Sequence, residues 1–367
     1  DRIKDIADLI LGEIKFLSKN KKPDVILCVL SENFITYIQE KEKEDENEEG
    51  ADETDGEKIE TTEKDFDEEE ISEKEENFRR YLKARAMQFN VPIQIVRDRI
   101  VKPTAEMQDA ATIAWNFFTA LYYKASGTPW ALIRKDSAET TCYAGISFFK
   151  SRDKITTQTS IAQIFNELGK GVILRGEEIT LKKFDKTPHL SEEQAYNLLS
   201  LSLREYYEAV KIFPKRLVLH KTSNFSSDEV YGFTQAAKQL HINQLDLVSI
   251  QKSDVRLYRN GIYPPMRGTQ LTLADNHHIL YSRGSVPYYE TYPGKYIPSP
   301  LEIKLAQYDE SPNLICEEIL SLTKMNWNNT QFDRKFPITI ECARNVGEIL
   351  KYLDPDDEMQ LKYSFYM

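Results

Sequence analysis

Cysteine, histidine and tryptophan are scarce in this chain, at four, five and three among 367 residues. Cys28, Cys142, Cys316 and Cys342 stand far apart with no Cys-x-x-Cys pair. That spacing excludes the usual zinc patterns and makes a reducing, cytoplasmic setting the expectation. His277 and His278 are adjacent in a strand-like stretch, where neighbouring side chains point to opposite faces, so a shared metal is not expected. No apolar run approaches the roughly 18 residues of a membrane helix. The longest, Val25 to Leu30, reads as a buried strand. The start, Asp1-Arg-Ile-Lys4, has neither an initiator Met nor a signal-peptide pattern, and the chain reads as part of a longer one. What is present is ordinary for a globular protein: 41% hydrophobic and 29% charged residues, in a length that suits two domains.

The net charge of -11 comes from one segment. Between Glu40 and Glu76 there are 21 acidic residues and 5 lysines, and the rest of the chain is net positive. Apart from Ile59, Phe66 and Ile71 the segment has no large apolar side chain, so it cannot offset the entropy of ordering itself. It is expected to be a disordered, solvated insertion, and deleting Glu42 to Glu75 is expected to leave folding nearly unchanged. A nucleic-acid mimic guarding a basic groove is the sharper but lesser reading. From Asn77 to Lys135 the balance reverses, with ten Lys or Arg against three acids. Such a concentration around helix and strand ends is the footprint of an anion site.

Ile3, Ile6, Leu9, Ile10, Ile14 and Leu17 recur at helical spacing, and Asp24 to Leu30 follows as a strand. Phe78 to Phe89 reads as a basic helix, Val91 to Val96 as a strand and Met107 to Ala125 as a long helix. This alternation predicts an α/β domain with parallel strands. Further on, strands are expected at Thr141 to Phe149, Val172 to Leu174, Arg216 to His220, Leu245 to Ile250 and Pro337 to Cys342. Helices are expected from Ser191 and from Ser226, over 312 to 322 and from Ala343 to Leu353. Trp115 and Trp130 are expected in the core. No internal repeat is visible.

Several segments, taken in order, carry a family resemblance. They are Val91-Pro-Ile-Gln94, Lys124-Ala-Ser-Gly-Thr-Pro-Trp130, Tyr143-Ala-Gly-Ile-Ser147 and Leu217-Val-Leu-His-Lys-Thr222. Tyr263-Pro-Pro-Met-Arg-Gly-Thr269, Tyr292-Pro-Gly294, Leu322-Thr-Lys-Met-Asn-Trp327 and Pro337-Ile-Thr-Ile-Glu-Cys-Ala343 continue the series. Together they resemble the MID and PIWI domains of prokaryotic Argonaute proteins. The resemblance implies an α/β chain, with a Rossmann-like MID domain over residues 1–135 followed by a PIWI domain over 136–367. The MID domain would be incomplete at its start and interrupted by the acidic insertion at about 40–76. The PIWI domain would be ribonuclease H-like, with a mixed sheet.

In that family MID holds the 5′ phosphate of a short guide strand. The resemblance carries this role to Arg79, Lys83, Gln94, Lys124 and the C-terminal carboxylate of Met367, with Arg80 as an alternative to Arg79. It also implies a Mg²⁺ ion at the guide phosphate, near Gln94 and Met367, that takes no part in catalysis. Arg267, Lys324 and Arg344 are weaker candidates for contacts along a guide–target duplex. Cutting members of the family hold two metal ions with carboxylates. Here Ser147, Thr222 and Arg344 stand at three of those positions, so the cleavage site is expected to be lost.

The resemblance therefore implies a guide-directed nucleic-acid binder, with an RNA guide and a DNA target, acting in prokaryotic defence against plasmids and phages. Any activity would lie in a partner effector, an APAZ-containing protein with a TIR, Sir2 or nuclease domain. Two rivals stand beside it. One is a nuclease with a divergent acid set drawn from Asp136, Glu177, Glu178 and Asp185, and the other a structural subunit that binds no guide.

Overall fold

A computed structural model describes residues 2–37, 73–101, 109–132, 140–150, 157–165, 173–179, 187–258, 264–288, 292, 297–325, 327, 334–354 and 357–367. Most of the acidic insertion expected over 40–76 lies outside these residues, as do Asp136 and Asp185. The chain divides into two compact units, residues 1–127 with 352–359, and residues 128–351 with 360–367. Among the described residues no helix is long and apolar enough to cross a membrane.

The first unit is built on helix α1 (Arg2–Lys21), strand β1 (Ile26–Leu30), helix α2 (Glu73–Ala86), strand β2 (Ile93–Arg97) and helix α3 (Ala110–Lys124). β1 and β2 pair in parallel, Ile26 opposite Ile93 and Leu30 opposite Arg97. Ile26, Cys28 and Leu30 join Ile93 and Ile95 in a core with Ala7, Leu11 and Ile14 of α1 and Phe78, Leu82 and Ala86 of α2. Leu27 and Val29 alternate with them and are exposed, so β1 is half-buried rather than buried on both faces as its apolar run implies. The return segment closes on α2: Tyr352 donates to Asn77 at 2.8 Å, and Arg85 pairs with Asp357 at 2.7 Å.

α2 begins five residues earlier than its apolar pattern indicates, and takes Glu73 to Glu76 out of the segment expected in solvent. Acids are favoured in a first helical turn by the helix dipole, and Glu75 is entirely buried between arginines. This corrects the tolerated deletion. Removing residues 42–72 is expected to leave the melting temperature nearly unchanged. Removing 42–75 is expected to lower it by several degrees, because the buried Arg97 loses its counter-charge. Thermal denaturation of the two deletions decides it, and equal melting temperatures would show that Glu75 adds no stability.

The second unit carries an eight-stranded mixed sheet in the order β5-β4-β3-β6-β7-β10-β9-β8. Its strands are β3 (Thr141–Lys150), β4 (Thr157–Phe165), β5 (Leu174–Ile179), β6 (Arg216–Lys221), β7 (Gln244–Lys252), β8 (Gln270–Ala274), β9 (His277–Leu280) and β10 (Leu301–Gln307). β3, β6 and β7 run parallel, and the flanking pairs are antiparallel. Helices α4 (Glu192–Val210) and α5 (Ser227–Gln239) cover one face, packing Leu199, Leu203, Phe233 and Ala236 on Cys142, Ala144, Ile146, Leu217 and Leu219. Both helices start where the sequence puts them, each with a reciprocal cap: Ser191 with Gln194, and Ser226 with Glu229. Helix α6 (Pro312–Leu322) follows β10.

Helix α7 (Ile338–Leu350) covers the other face. The sequence predicts a strand over its first turns, and the reason is physical. Ile338, Thr339, Ile340, Cys342 and Ala343 are buried and only Glu341 among them is not, so a window this short ends before the polar positions Arg344, Asn345 and Glu348 reveal the helical period. α7 lies so close to β3 that a Cβ on Gly145 would sit 2.1 Å from the Thr339 carbonyl oxygen. Further along, a Cβ on Gly347 would meet Phe149 at 3.2 Å. The small stripe Thr339, Ala343, Gly347, at i, i+4 and i+8, is thus the face laid on β3.

Candidate nucleic-acid interface

Arg79 and Lys83 are one turn apart on α2, which puts them on the same helix face. Lys124, the last residue of α3, is 3% exposed. Its ammonium donates to the carbonyl of Ile93 at 2.8 Å and to Gln94 Oε1 at 2.6 Å. The structure therefore brings Lys124 and Gln94 into direct contact across 30 residues of sequence. Burial holds Lys124 well below the ordinary lysine range, and the charges of Lys83 and Arg79 add to this. Burial likewise brings Lys83 down to about 8, helped by Arg79 and Arg80 and opposed by Glu76. Arg79 acts on both lysines, whereas Arg80 pairs with Glu76 at 2.5 Å on the helix surface. Cys28 on β1 lies in the core within electrostatic reach of Lys124. Its thiol is pushed up to about 11 by burial, with Lys124 pulling the other way.

Arg79, Lys83 and Lys124 thus form one cationic cluster in the first unit, with Gln94 bonded to Lys124. A Mg²⁺ ion does not fit at Gln94, because its oxygen already accepts from an ammonium and the neighbouring charges are positive. Met367 belongs to the second unit, where it is 7% exposed behind the short 3-10 turn Tyr363–Phe365. Two residues escape the sequence reading. Glu75 has an available signal, the i, i+4 spacing to Arg79. Arg97 has none, because its pairing with Glu75 spans 22 residues.

In the second unit, the parallel register of β3 and β6 ends at Ile146 opposite Lys221, and Ser147 and Thr222 are the residues that follow on each chain segment. Thr222 follows the carboxyl end of β6, while Ser147 lies within β3, three residues before its end, paired with Ser160 of β4. Ser147 alternates with Ile146 and shares its face with Gly145 and Phe149, the face that α7 covers. Arg344 follows Ala343 on α7, between the levels of Gly145 and Phe149. Its guanidinium carbon lies 4.4 Å from the centre of the Phe336 ring. His220, one pairing earlier, contacts Thr339 Oγ1 at 2.8 Å and is pushed down to about 3 by burial. Lys221 points the other way, into a buried ion pair with Glu229 at 2.6 Å flanked by Phe148 and Phe225.

Among the described residues no group of three or more His, Cys, Asp or Glu is placed to hold a metal ion. Glu177 and Glu178 are exposed on β5, at the sheet edge and two strands from β3. Arg267 is engaged internally: its Nη2 donates to the Leu320 carbonyl at 3.0 Å and to Thr323 Oγ1 at 2.7 Å, closing the end of α6. The Lys324 side chain is exposed, and its carbonyl accepts from Trp130 Nε1 at 2.8 Å. Trp130 is half-buried edge-on to Trp327, whereas Trp115 is 45% exposed on α3 and not in the core as expected. Its neighbours on that helix face, Phe118 and Tyr122, are exposed as well.

No protein-family model matches the chain. It is 22% identical over 283 residues to the protein argonaute of Aquifex aeolicus (strain VF5), a stretch covering 74% of this chain and 35% of that protein. Clostridium butyricum Argonaute, solved with a guide DNA and a 19-mer target DNA, superposes with a TM-score of 0.62 at 16% identity. That match covers 94% of this chain and 40% of the Argonaute. Aa-Ago, in a crystal structure with externally bound siRNA, superposes with a TM-score of 0.55 at 16% identity, over 100% of this chain and 44% of that one. The chain thus has an Argonaute-like fold along nearly all of its length, and spans between a third and a half of the Argonautes it matches.

Proposed function

We propose that the chain binds a short nucleic-acid guide by its 5′ phosphate, at the pocket of Arg79, Lys83, Gln94 and Lys124, and uses the paired guide to recognise a target. The observation that carries this reading is the contact of the buried Lys124 with Gln94, with Arg79 and Lys83 one turn apart on α2 and both charges acting on Lys124. Clustering like charges around a buried lysine is unfavourable for the protein alone and is relieved by an anion that supplies several acceptor oxygens. A terminal phosphate fits, because it carries nearly two charges near neutral pH. The Argonaute-like fold supports assigning that phosphate to a guide strand.

Target recognition proceeds through base pairing, with the protein reading the duplex by its backbone. Lys324 and Arg344 remain the candidates for that contact. The chain itself does not cut. Ser147, Thr222 and Arg344 supply two hydroxyls and a cation at the positions where metal-holding carboxylates would be needed. A separate effector recruited by the guide–target complex, in defence against plasmids and phages, follows from the same reading. An RNA guide and a DNA target are the expected pair.

The pH dependence of guide binding tests the pocket. Lys83 faces Arg79, Arg80 and Glu76 from its own helix and Lys124 from α3. With its pKa near 8 in the free protein, Lys83 is charged below that pH, and binding above it requires uptake of a proton. Affinity for a 5′-phosphorylated guide is therefore expected to decline as pH rises, Lys124 acting in the same direction as Lys83. From Lys83 alone the fall should reach up to about tenfold per pH unit above 8. A guide with a 5′ hydroxyl should show little of this. Fluorescence anisotropy with both guides from pH 7 to 9.5 reads it directly. A phosphate-guide curve that stays flat to pH 9.5 would mean that Lys83 does not meet the phosphate.

A further inference from the structure

Glu75 is the last feature composition would single out, one acid among the 21 between Glu40 and Glu76, yet its carboxylate is fully buried. Oε1 accepts from Arg79 Nε at 3.0 Å and from Arg97 Nε at 3.1 Å, and Oε2 accepts from Arg97 Nη2 at 2.5 Å. Arg97 ends β2 and is itself 8% exposed. Arg79 lies one turn before Lys83, and its charge reaches both pocket lysines.

We propose that Glu75 is a positioning residue for the phosphate pocket, clamping Arg79 between α2 and the end of β2 so that its guanidinium faces Lys83 and Lys124. This rests on the guide-phosphate reading above. Arginine recognises phosphate through a planar fork, so its usefulness depends on orientation as well as charge. An unrestrained Arg79 would swing away from two other cations, since mutual repulsion drives it towards solvent. A buried carboxylate bonded to its Nε fixes the plane of the guanidinium. The same carboxylate is held in turn by two bonds from Arg97, whose place is set by the strand. Charge alone gives the opposite expectation, because removing Glu75 makes the pocket more positive and would strengthen anion binding.

The readout is the phosphate preference, the ratio of affinities for 5′-phosphorylated and 5′-hydroxyl guides of one sequence. A role in stability alone would lower the melting temperature and leave that ratio unchanged. Glu75→Gln is expected to lower the ratio at least fivefold, and Arg79→Gln to lower it by a similar factor. The combined Glu75→Gln, Arg79→Gln protein should be no worse than Arg79→Gln, because Glu75 acts through Arg79. Should Glu75→Gln fail to fold, Glu75→Asp keeps the charge and shortens the reach by one methylene, and is also expected to lower the ratio. A folded Glu75 variant with an unchanged or raised ratio overturns the assignment. So does a further loss when Glu75→Gln is added to Arg79→Gln. A wild-type protein with no phosphate preference removes the pocket and this role together, whereas a preserved wild-type preference with a silent Glu75 removes this role alone.

Discussion

Replacing Lys83 and Lys124 together by glutamine is expected to weaken binding of a 5′-phosphorylated guide on the order of a hundredfold, while a 5′-hydroxyl guide loses only a few-fold. Hydrogen bonds to charged groups contribute about 1.5 kcal/mol or more each, and two of them amount to about 3 kcal/mol, or two decades of affinity. Glutamine is the informative replacement because of where Lys124 sits. It is 3% exposed and donates to a backbone carbonyl and an amide oxygen, and a glutamate there would bury an anion against two acceptors. Glutamine retains donors for Ile93 and Gln94 and removes the charge. The slope of log affinity against log salt should flatten as well, by about 0.7 for each phosphate of the single strand that the protein no longer neutralises. Equal weakening of the two guides would reduce the pocket to part of a diffuse positive surface. Circular dichroism on the variant separates loss of binding from loss of fold.

How much of this is legible in the sequence depends on which interactions are local. The capping residues Ser191 and Ser226 mark the starts of α4 and α5, because a cap and its partner lie three residues apart. The spacing of Arg79 and Lys83 on one helix face is equally local. What local pattern does not show is long-range pairing. Lys124 reaches Gln94 across 30 residues and Arg97 reaches Glu75 across 22. The acidic composition even points away from Glu75, since averaging over a long segment hides one residue with a counter-charge.

Two other differences have the same origin. Leu27 and Val29 sit in an apolar run and are nonetheless exposed, because a run of this kind does not say which face the helices will cover. Residue type alone places Trp115 in the core, and type does not fix which helix face packs inward. The motif Pro337 to Ala343 locates the right segment and the wrong element, since it stops before Arg344, Asn345 and Glu348, the polar positions that complete the helical period.

The protein carrying Ser147→Asp and Thr222→Asp is expected to remain without guide-dependent cleavage, and cutting is expected to emerge only when Arg344→Asp is added. Residues 147 and 222 directly follow the last registered pair of β3 and β6, Ile146 and Lys221, and continuing that register by one position would let the two new carboxylates share one divalent ion. On the reading proposed above, Arg344 opposes this from α7. Its level on the helix falls between those of Gly145 and Phe149, and stacking on Phe336 holds its guanidinium in place. The helix has little freedom to withdraw, because the Thr339 carbonyl already occupies the space a side chain at Gly145 would need. A fixed cation beside two carboxylates pairs with them and competes with the metal, while its replacement by Asp adds a third ligand. Purified protein with guide, labelled complementary target and Mn²⁺ gives the comparison. Thermal shift with and without Mn²⁺ gives a second readout: the triple variant should be stabilised by the metal and the double variant should not. Robust cutting by the double variant would show that Arg344 does not face the pair, and that the last ligand position lies elsewhere on α7.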